Sequence, residues 1–286
     1  MKQELGSRFL YDCAAFLIRI HCLWLVHCIL YVCVFLYTLL PAIRKRSAAY
    51  RAHRFPGCSY PASFLHTWRL HANLAHVLLD RLCLGVQDKS PVGSLSLRSA
   101  KGGIVVLSAH VGAWQNGLSL LASERNVHVV QKRDDGLGDR QYFERGGGFP
   151  FSVIDIQDPI FCALAVTKAL QDGDCVCIMG DRLPPGEDVP RSLRVPFLGG
   201  HIRLSISPYA IAARSHAELW ILFSARNEEK IEIATFERVF LPETDLRNPE
   251  TYRPSVLQYA QALERYVARY PYQFFNFYDM WEKETA

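Results

Sequence analysis

No Asp or Glu stands between Asp12 and Asp80, a stretch that holds Arg19, Arg44, Lys45, Arg46, Arg51, Arg54 and Arg69. With no counter-charge, the first quarter of the chain is basic and greasy, a pattern suited to an anionic membrane surface. Charge is scarce throughout, at 21% against the usual ~25%, and hydrophobic residues make up 50%, which excludes wholesale disorder. The margin of 32 Lys+Arg over 28 Asp+Glu is too small to argue for nucleic acid, and no RNP-like or helix-turn-helix pattern appears. Internal repeats and low-complexity tracts are also missing. The 286 residues are therefore read as a short N-terminal region and one domain with a substantial core.

The nine cysteines form no C-x-x-C pair and no zinc-type spacing with histidine, so metal binding has no support. Cys13, Cys22, Cys28 and Cys33 lie in the apolar N-terminal run, where thiols behave as small hydrophobes. Cys175 and Cys177 are two apart in a strand-like run, share one face, and are expected to pack. An odd number without a framework indicates a reducing compartment.

Ile20 to Ile43 is a run of 24 residues without Asp, Glu, Lys or Arg. That exceeds the ~20 residues of a membrane-spanning helix. The run is too long for a signal peptide and ends in Pro41-Ala42-Ile43-Arg44-Lys45-Arg46 rather than a cleavage site. Five Lys/Arg between Arg44 and Arg54 place that flank on the cytoplasmic side. A hairpin or a helix lying along the interface is the competing reading.

Ala62 to Val86 carries apolar residues at helical spacing. Gly102 to His110 then reads as a strand buried on both faces, followed by a turn and helix from Val111 to Glu124. Val127–Gln131, Phe151–Ile156 and Cys175–Met179 read as strands, with a helix from Pro159 to Leu170 that stops at Asp172-Gly173. Glu218–Ala225 and Lys230–Phe240 read as a meander, and Pro254–Tyr270 as a terminal amphipathic helix. Alternating strands and helices predict an α/β fold with a mainly parallel sheet flanked by helices, preceded by an N-terminal membrane helix. The boundaries expected are 1–60 for the anchor and basic flank and 61–286 for the folded domain.

Ligands of α/β sheets gather beyond the carboxyl ends of the strands. The polar residues there are His110, Lys132-Arg133-Asp134-Asp135, Asp181-Arg182, and Arg226 after Phe223-Ser224-Ala225. A histidine at a strand end, followed by Gly112 and a helix, is well placed as a general base. Its bland alternative is a surface or capping histidine. Gly112 and Gly117 would let backbone approach a ligand closely.

The segment Ser108-Ala109-His110-Val111-Gly112-Ala113-Trp114-Gln115 resembles the His-x4-Asp/Glu motif of the glycerolipid and lysophospholipid acyltransferase superfamily. It is most similar to the branch of the late acyltransferases of lipid A biosynthesis. The resemblance extends to Leu170–Arg182, to Arg194-Val195-Pro196-Phe197-Leu198-Gly199-Gly200, and to the strand from Leu219 to Arg226. The closing Pro271–Trp281 looks like the variant found in aryl-polyene and xanthomonadin-type pigment clusters.

The resemblance implies an acyltransferase at the cytoplasmic face of a bacterial inner membrane. It would use acyl carrier protein or coenzyme A thioesters as co-substrate, hold no bound cofactor, and esterify a lipid or glycolipid acceptor. His110 would take the proton of the acceptor hydroxyl. No G-x-S-x-G elbow is present, and no covalent intermediate is required. Backbone N–H groups near Gly112 would stabilise the oxyanion. Arg133, Arg182, Arg203 and Arg226, with Lys132, would meet a phosphate or carboxylate, because guanidinium offers paired donors. Trp114 and Phe197 are candidates for an acyl channel, although core packing suits both.

The family's acid is Gln115 here, and a neutral amide supplies no charge to an imidazolium. Three readings follow. Another carboxylate serves, with Asp181 ahead of Asp134 or Asp139; the enzyme is slow or uses a more acidic acceptor; or catalysis is lost. Two functions of other kinds remain beside acyl transfer: a membrane-surface scaffold, and an esterase or thioesterase with water as acceptor.

Overall fold

The computed structural model describes residues 8–87, 102–132, 151–183, 191–227, 231–243 and 245–282. The helices α1 (Arg8–Arg19) and α2 (Leu23–Leu39) precede two short ones, α3 (Pro41–Arg46) and α4 (Ala48–Arg54), and the long α5 (Tyr60–Gln87). The expected membrane span is not one helix. His21 sits at φ 61° and breaks the run between α1 and α2, and Pro41, as the first residue of α3, holds Leu40 in an extended conformation. The 17 residues of α2 rise about 25 Å at 1.5 Å each, short of the ~30 Å hydrocarbon core. No helix among the described residues is long and apolar enough to cross a membrane. Instead Ala15, Ile18, Val26 and Leu79 bury one another where α1, α2 and α5 meet.

The domain alternates β1 (Ile104–Ser108), α6 (Trp114–Ala122), β2 (Val127–Gln131), β3 (Ser152–Asp155), α7 (Pro159–Gln171) and β4 (Cys175–Met179). A hairpin of β5 (Ser192–Phe197) and β6 (Gly200–Ser205) follows, then α8 (Ser207–Arg214), β7 (Glu218–Arg226), β8 (Ile231–Val239) and α9 (Arg253–Arg269). The six-stranded sheet runs β3-β2-β4-β1-β7-β8. Its first five strands are parallel and β8 is antiparallel to β7.

The central parallel strands β1 and β4 are covered on both faces and read as near-continuous apolar runs. In β1, Val105 and Leu107 enter a core with α5, α7, α8 and α9, while Ile104 and Val106 face Leu118 and Leu121 of α6. Cys175 and Cys177 share the α6 side and are buried there, as expected for packing residues. Burial pushes the Cys175 thiol up to about 12 and the Cys177 thiol well above its ordinary value.

The β5–β6 hairpin was not foreseen. Its turn, Leu198-Gly199, has φ of 48° and 74°, the two-residue geometry that Asn-Gly usually signals. Glu264 Oε1 accepts the Leu198 N–H at 2.8 Å and ties the turn to α9. Phe197 is buried against Phe274 and Trp281, so it belongs to the core and not to a channel. The expected boundary at residue 60 falls on the first residue of α5, yet Tyr50 before it is buried in the main core against Phe274.

Candidate active site

β1 and β4 are parallel neighbours in register, Ser108 opposite Met179, and the Gly180 N–H continues the ladder to the Ser108 carbonyl at 2.9 Å. Two residues further, both chains end in polar side chains that meet. His110 Nδ1 lies 2.9 and 3.1 Å from the two carboxylate oxygens of Asp181, and the His110 backbone N–H donates to Oδ2 at 3.2 Å. The Asp181 side chain is 0% exposed, the His110 side chain 31%.

Burial alone would raise the Asp181 carboxyl. The charge and hydrogen bonds of His110, with the charge of Arg182, outweigh it and hold the group below the ordinary carboxylate range. An ionised Asp181 accepts from Nδ1–H, which leaves Nε2 as the acceptor nitrogen of the ring.

The first turn after β1 is fixed by its neighbours. Gly112 adopts φ +44°, and a Cβ there would lie 2.0 Å from the Ser224 carbonyl oxygen and 2.5 Å from the Tyr266 hydroxyl. Its N–H donates to the Gln273 carbonyl at 2.8 Å. Gly112 therefore lets the chain press against β7, and its N–H is not free for an oxyanion. Gly117 serves the same contact, its Cβ position 3.1 Å from Ser224 Oγ.

The closing segment forms a wall that the strand-end reading missed. The Phe275 N–H donates to the His110 carbonyl at 2.8 Å, and Val111 bridges Phe274. Gln273 accepts from the Arg226 N–H at 2.8 Å and donates to the Arg226 carbonyl at 2.6 Å, extending the edge of β7. Tyr278 stands under the Arg182 guanidinium, 5.6 Å from carbon to ring centre. Its hydroxyl is pushed up by burial and by the Asp181 charge. The signal was the aromatic motif itself, which had no assigned place.

The other expected residues divide. Arg182 is at the site, donating to the Phe275 carbonyl at 3.3 Å and keeping a buried Nε–H without a partner. Lys132 is exposed at the end of β2, on the same edge. Arg203 is paired with Glu282 and Ser192 on the hairpin, and Arg226 with Asp80 of α5, so neither guanidinium is held ready for an anion. Gln115 lies in the first turn of α6, where its carbonyl accepts from Ser119, and no side-chain hydrogen bond joins it to His110 or Asp181. Trp114 packs towards Phe151, 6.4 Å between ring centres. Arg133, Asp134, Asp135 and Asp139 lie outside the described residues. No group of three or more His, Cys, Asp or Glu among the described residues is placed to hold a metal ion.

The profile of the family described as bacterial lipid A biosynthesis acyltransferase matches residues 86–283. The chain belongs to that family. It is an acyltransferase, and its acceptors are lipids in kind. No curated protein matches the sequence. The match runs from the end of α5 through Trp281, so both His110 and the closing segment lie within it.

Proposed function

We propose that this acyltransferase uses His110 as general base and Asp181 as the carboxylate that orients and balances it, standing in for the family acid that Gln115 replaces. The observation that carries the reading is the buried Asp181 carboxylate 2.9 Å from His110 Nδ1. An acceptor hydroxyl binds at Nε2 and attacks the carbonyl of an acyl thioester, carried by acyl carrier protein or coenzyme A. The hydroxyl proton passes to Nε2, Asp181 stabilises the imidazolium, and the proton leaves with the thiolate. Arg182, with its unpaired Nε–H, and Lys132 receive a phosphate on donor or acceptor.

The same reading puts the enzyme on the cytoplasmic face of a bacterial inner membrane, with α1 and α2 dipping into one leaflet. Support comes from the row of exposed apolar side chains on α2, among them Trp24, Val32, Phe35 and Leu36. The basic α3–α4 stretch follows directly, at the level of lipid headgroups. The acceptor is a hydroxyl of a lipid or glycolipid, and the product is a lipid or lipid-like pigment ester.

The test is mass spectrometry of membranes carrying wild type, His110→Ala or Asp181→Asn, supplied with acyl carrier protein and coenzyme A thioesters and a lipid and glycolipid extract. A new acylated product in wild type, absent from both variants, is the expected result and identifies the acceptor by mass. Free acyl acid without product would instead make water the acceptor. Equal product from His110→Ala would remove the histidine from the mechanism.

A further inference from the structure

The oxyanion that forms during acyl transfer has no donor at Gly112, because that N–H is taken by Gln273. The next donors along the chain stand at the start of α6. Ala113 precedes the helix with no side-chain cap, and the first N–H groups bonded within it are those of Asn116 and Gly117, both to the Ala113 carbonyl at 2.9 and 3.2 Å. The N–H groups of Trp114 and Gln115 therefore have no acceptor inside the helix.

A second, independent feature lies in the same turn. Asn116 is 2% exposed, and its Nδ2 is buried with no hydrogen-bond partner. Buried amides in folded proteins are almost always paired, so an orphan is a cost held for a reason. Helical side chains incline toward the N-terminus, so the short amide of the third residue of α6 leans over the first turn of that helix. The face it shares is level with the site. Carrying the β1–β7 register forward from Leu107 opposite Ile221 sets His110 level with Ser224, whose Oγ is also buried and unpartnered. That Oγ lies 3.1 Å from the Cβ position of Gly117, beside Asn116.

We propose that the Asn116 amide and the unbonded N–H groups opening α6 form the pocket for the oxyanion of the tetrahedral intermediate. The inference rests on the acyl-transfer reading of the site and adds a residue to it. As the acceptor oxygen bonds to the thioester carbon, the carbonyl π pair moves onto oxygen while the hydroxyl proton moves to His110. The negative oxygen takes the hydrogen bond that Asn116 cannot make in the free enzyme, and releases it when the C–S bond breaks and the thiolate leaves with the proton. A donor unpaired in the ground state and paired only in the transition state contributes to kcat rather than to binding.

The experiment compares wild type, Asn116→Ala and Asn116→Asp for acyl transfer from a thioester donor, with thermal melting of each. Both variants are expected to lose about 10²–10³ in kcat with the donor KM little changed, and Asn116→Ala to melt no lower than wild type, because it deletes a donor that had no partner. Asn116→Ala keeping kcat within about threefold of wild type, which is well short of the loss of an oxyanion donor, overturns the proposal. So does a lost rate matched by a lower melting temperature, which marks an amide paired with a structural water. A wild type that transfers no acyl group, with its donor intact, overturns the acyl-transfer reading itself, an outcome distinct from an active Asn116→Ala.

Discussion

At the scale of the residue, the displaced acid is the informative feature. In the motif this chain resembles, the carboxylate stands five residues after the histidine; here that position is Gln115, and the carboxylate beside His110 is Asp181, just beyond the neighbouring strand β4. Asp181 is fixed by β4 and cannot swing away, since Gly180 before it lies against Tyr259 and its own side chain is sealed from solvent. Asp181→Asn should therefore cut kcat by about 10⁴, the loss seen when a triad aspartate becomes asparagine and favours the wrong tautomer. Gln115→Glu should alter kcat by less than about tenfold, since its side chain has no bond to His110 to improve and adds only a first-turn charge of about 0.3–1 kcal/mol. Steady-state kinetics on the two variants checks both. Asp181 also gives a pH signature. Its folded pKa is depressed, so it stabilises the fold above the ordinary carboxylate value of about 4 and loses that contribution as pH falls through the lower folded value. Wild type should lose melting temperature in that acid window more steeply than Asp181→Asn, measured by thermal scans from pH 6 downward.

At the scale of the element, the fold was legible wherever pattern and register agree. The strands Val127–Gln131 and Cys175–Met179 stand where short valine- and cysteine-containing runs put them, and the order β4-β1 explains why two strand ends distant in sequence meet at His110 and Asp181. Asp181 was nameable as a partner for His110 because strand ends collect in one place; that Arg226 and Arg203 are tied up elsewhere was not, because their acids, Asp80 and Glu282, sit in segments with no visible relation to them. The hairpin escaped because Leu198 occupies a left-handed position that sequence assigns to Gly or Asn. The breaks in the expected span escaped because hydropathy counts residues and not backbone turns, and His21 at one end and Pro41 at the other cut the run. The junction of β1 and α6 gives a test at this scale. Gly112→Ala places a methyl 2.0 Å from a backbone oxygen at a positive φ and should cost more than about 3 kcal/mol. Gly117→Ala meets side-chain atoms alone, Ser224 Oγ at 3.1 Å and Cβ at 3.2 Å with Ile233 Cδ1 at 3.7 Å, of which the hydroxyl can rotate away, and should cost less than about 1.5 kcal/mol. Chemical denaturation of both variants separates a backbone clash from a side-chain one.

At the scale of the whole molecule, no helix among the described residues is long and apolar enough to cross a bilayer, and the proposed membrane contact falls to α2. The exposed side of α2 supports that proposal: Trp24 is 67% and Leu36 57% exposed, on a helix without Asp, Glu, Lys or Arg. An apolar row of that kind, followed at once by Arg44, Lys45 and Arg46, fits a helix lying at the headgroup boundary of one leaflet. Two consequences separate this from a spanning anchor. First, the N-terminus and the α3–α4 stretch lie on the same side, so protease added outside sealed vesicles should reach both. Second, both forces should show in flotation. Vesicles containing anionic lipid should retain wild type at low salt, and raising the salt to 1 M, where the Debye length falls to about 3 Å, should weaken retention without abolishing it. Trp24→Glu with Leu36→Glu should release the protein at either salt while leaving its melting temperature within about 2 °C, because neither side chain belongs to a core and exposed sites cost little. Retention of the double variant on anionic vesicles at low salt, lost at 1 M, would remove α2 from the contact and leave the basic flank as its basis.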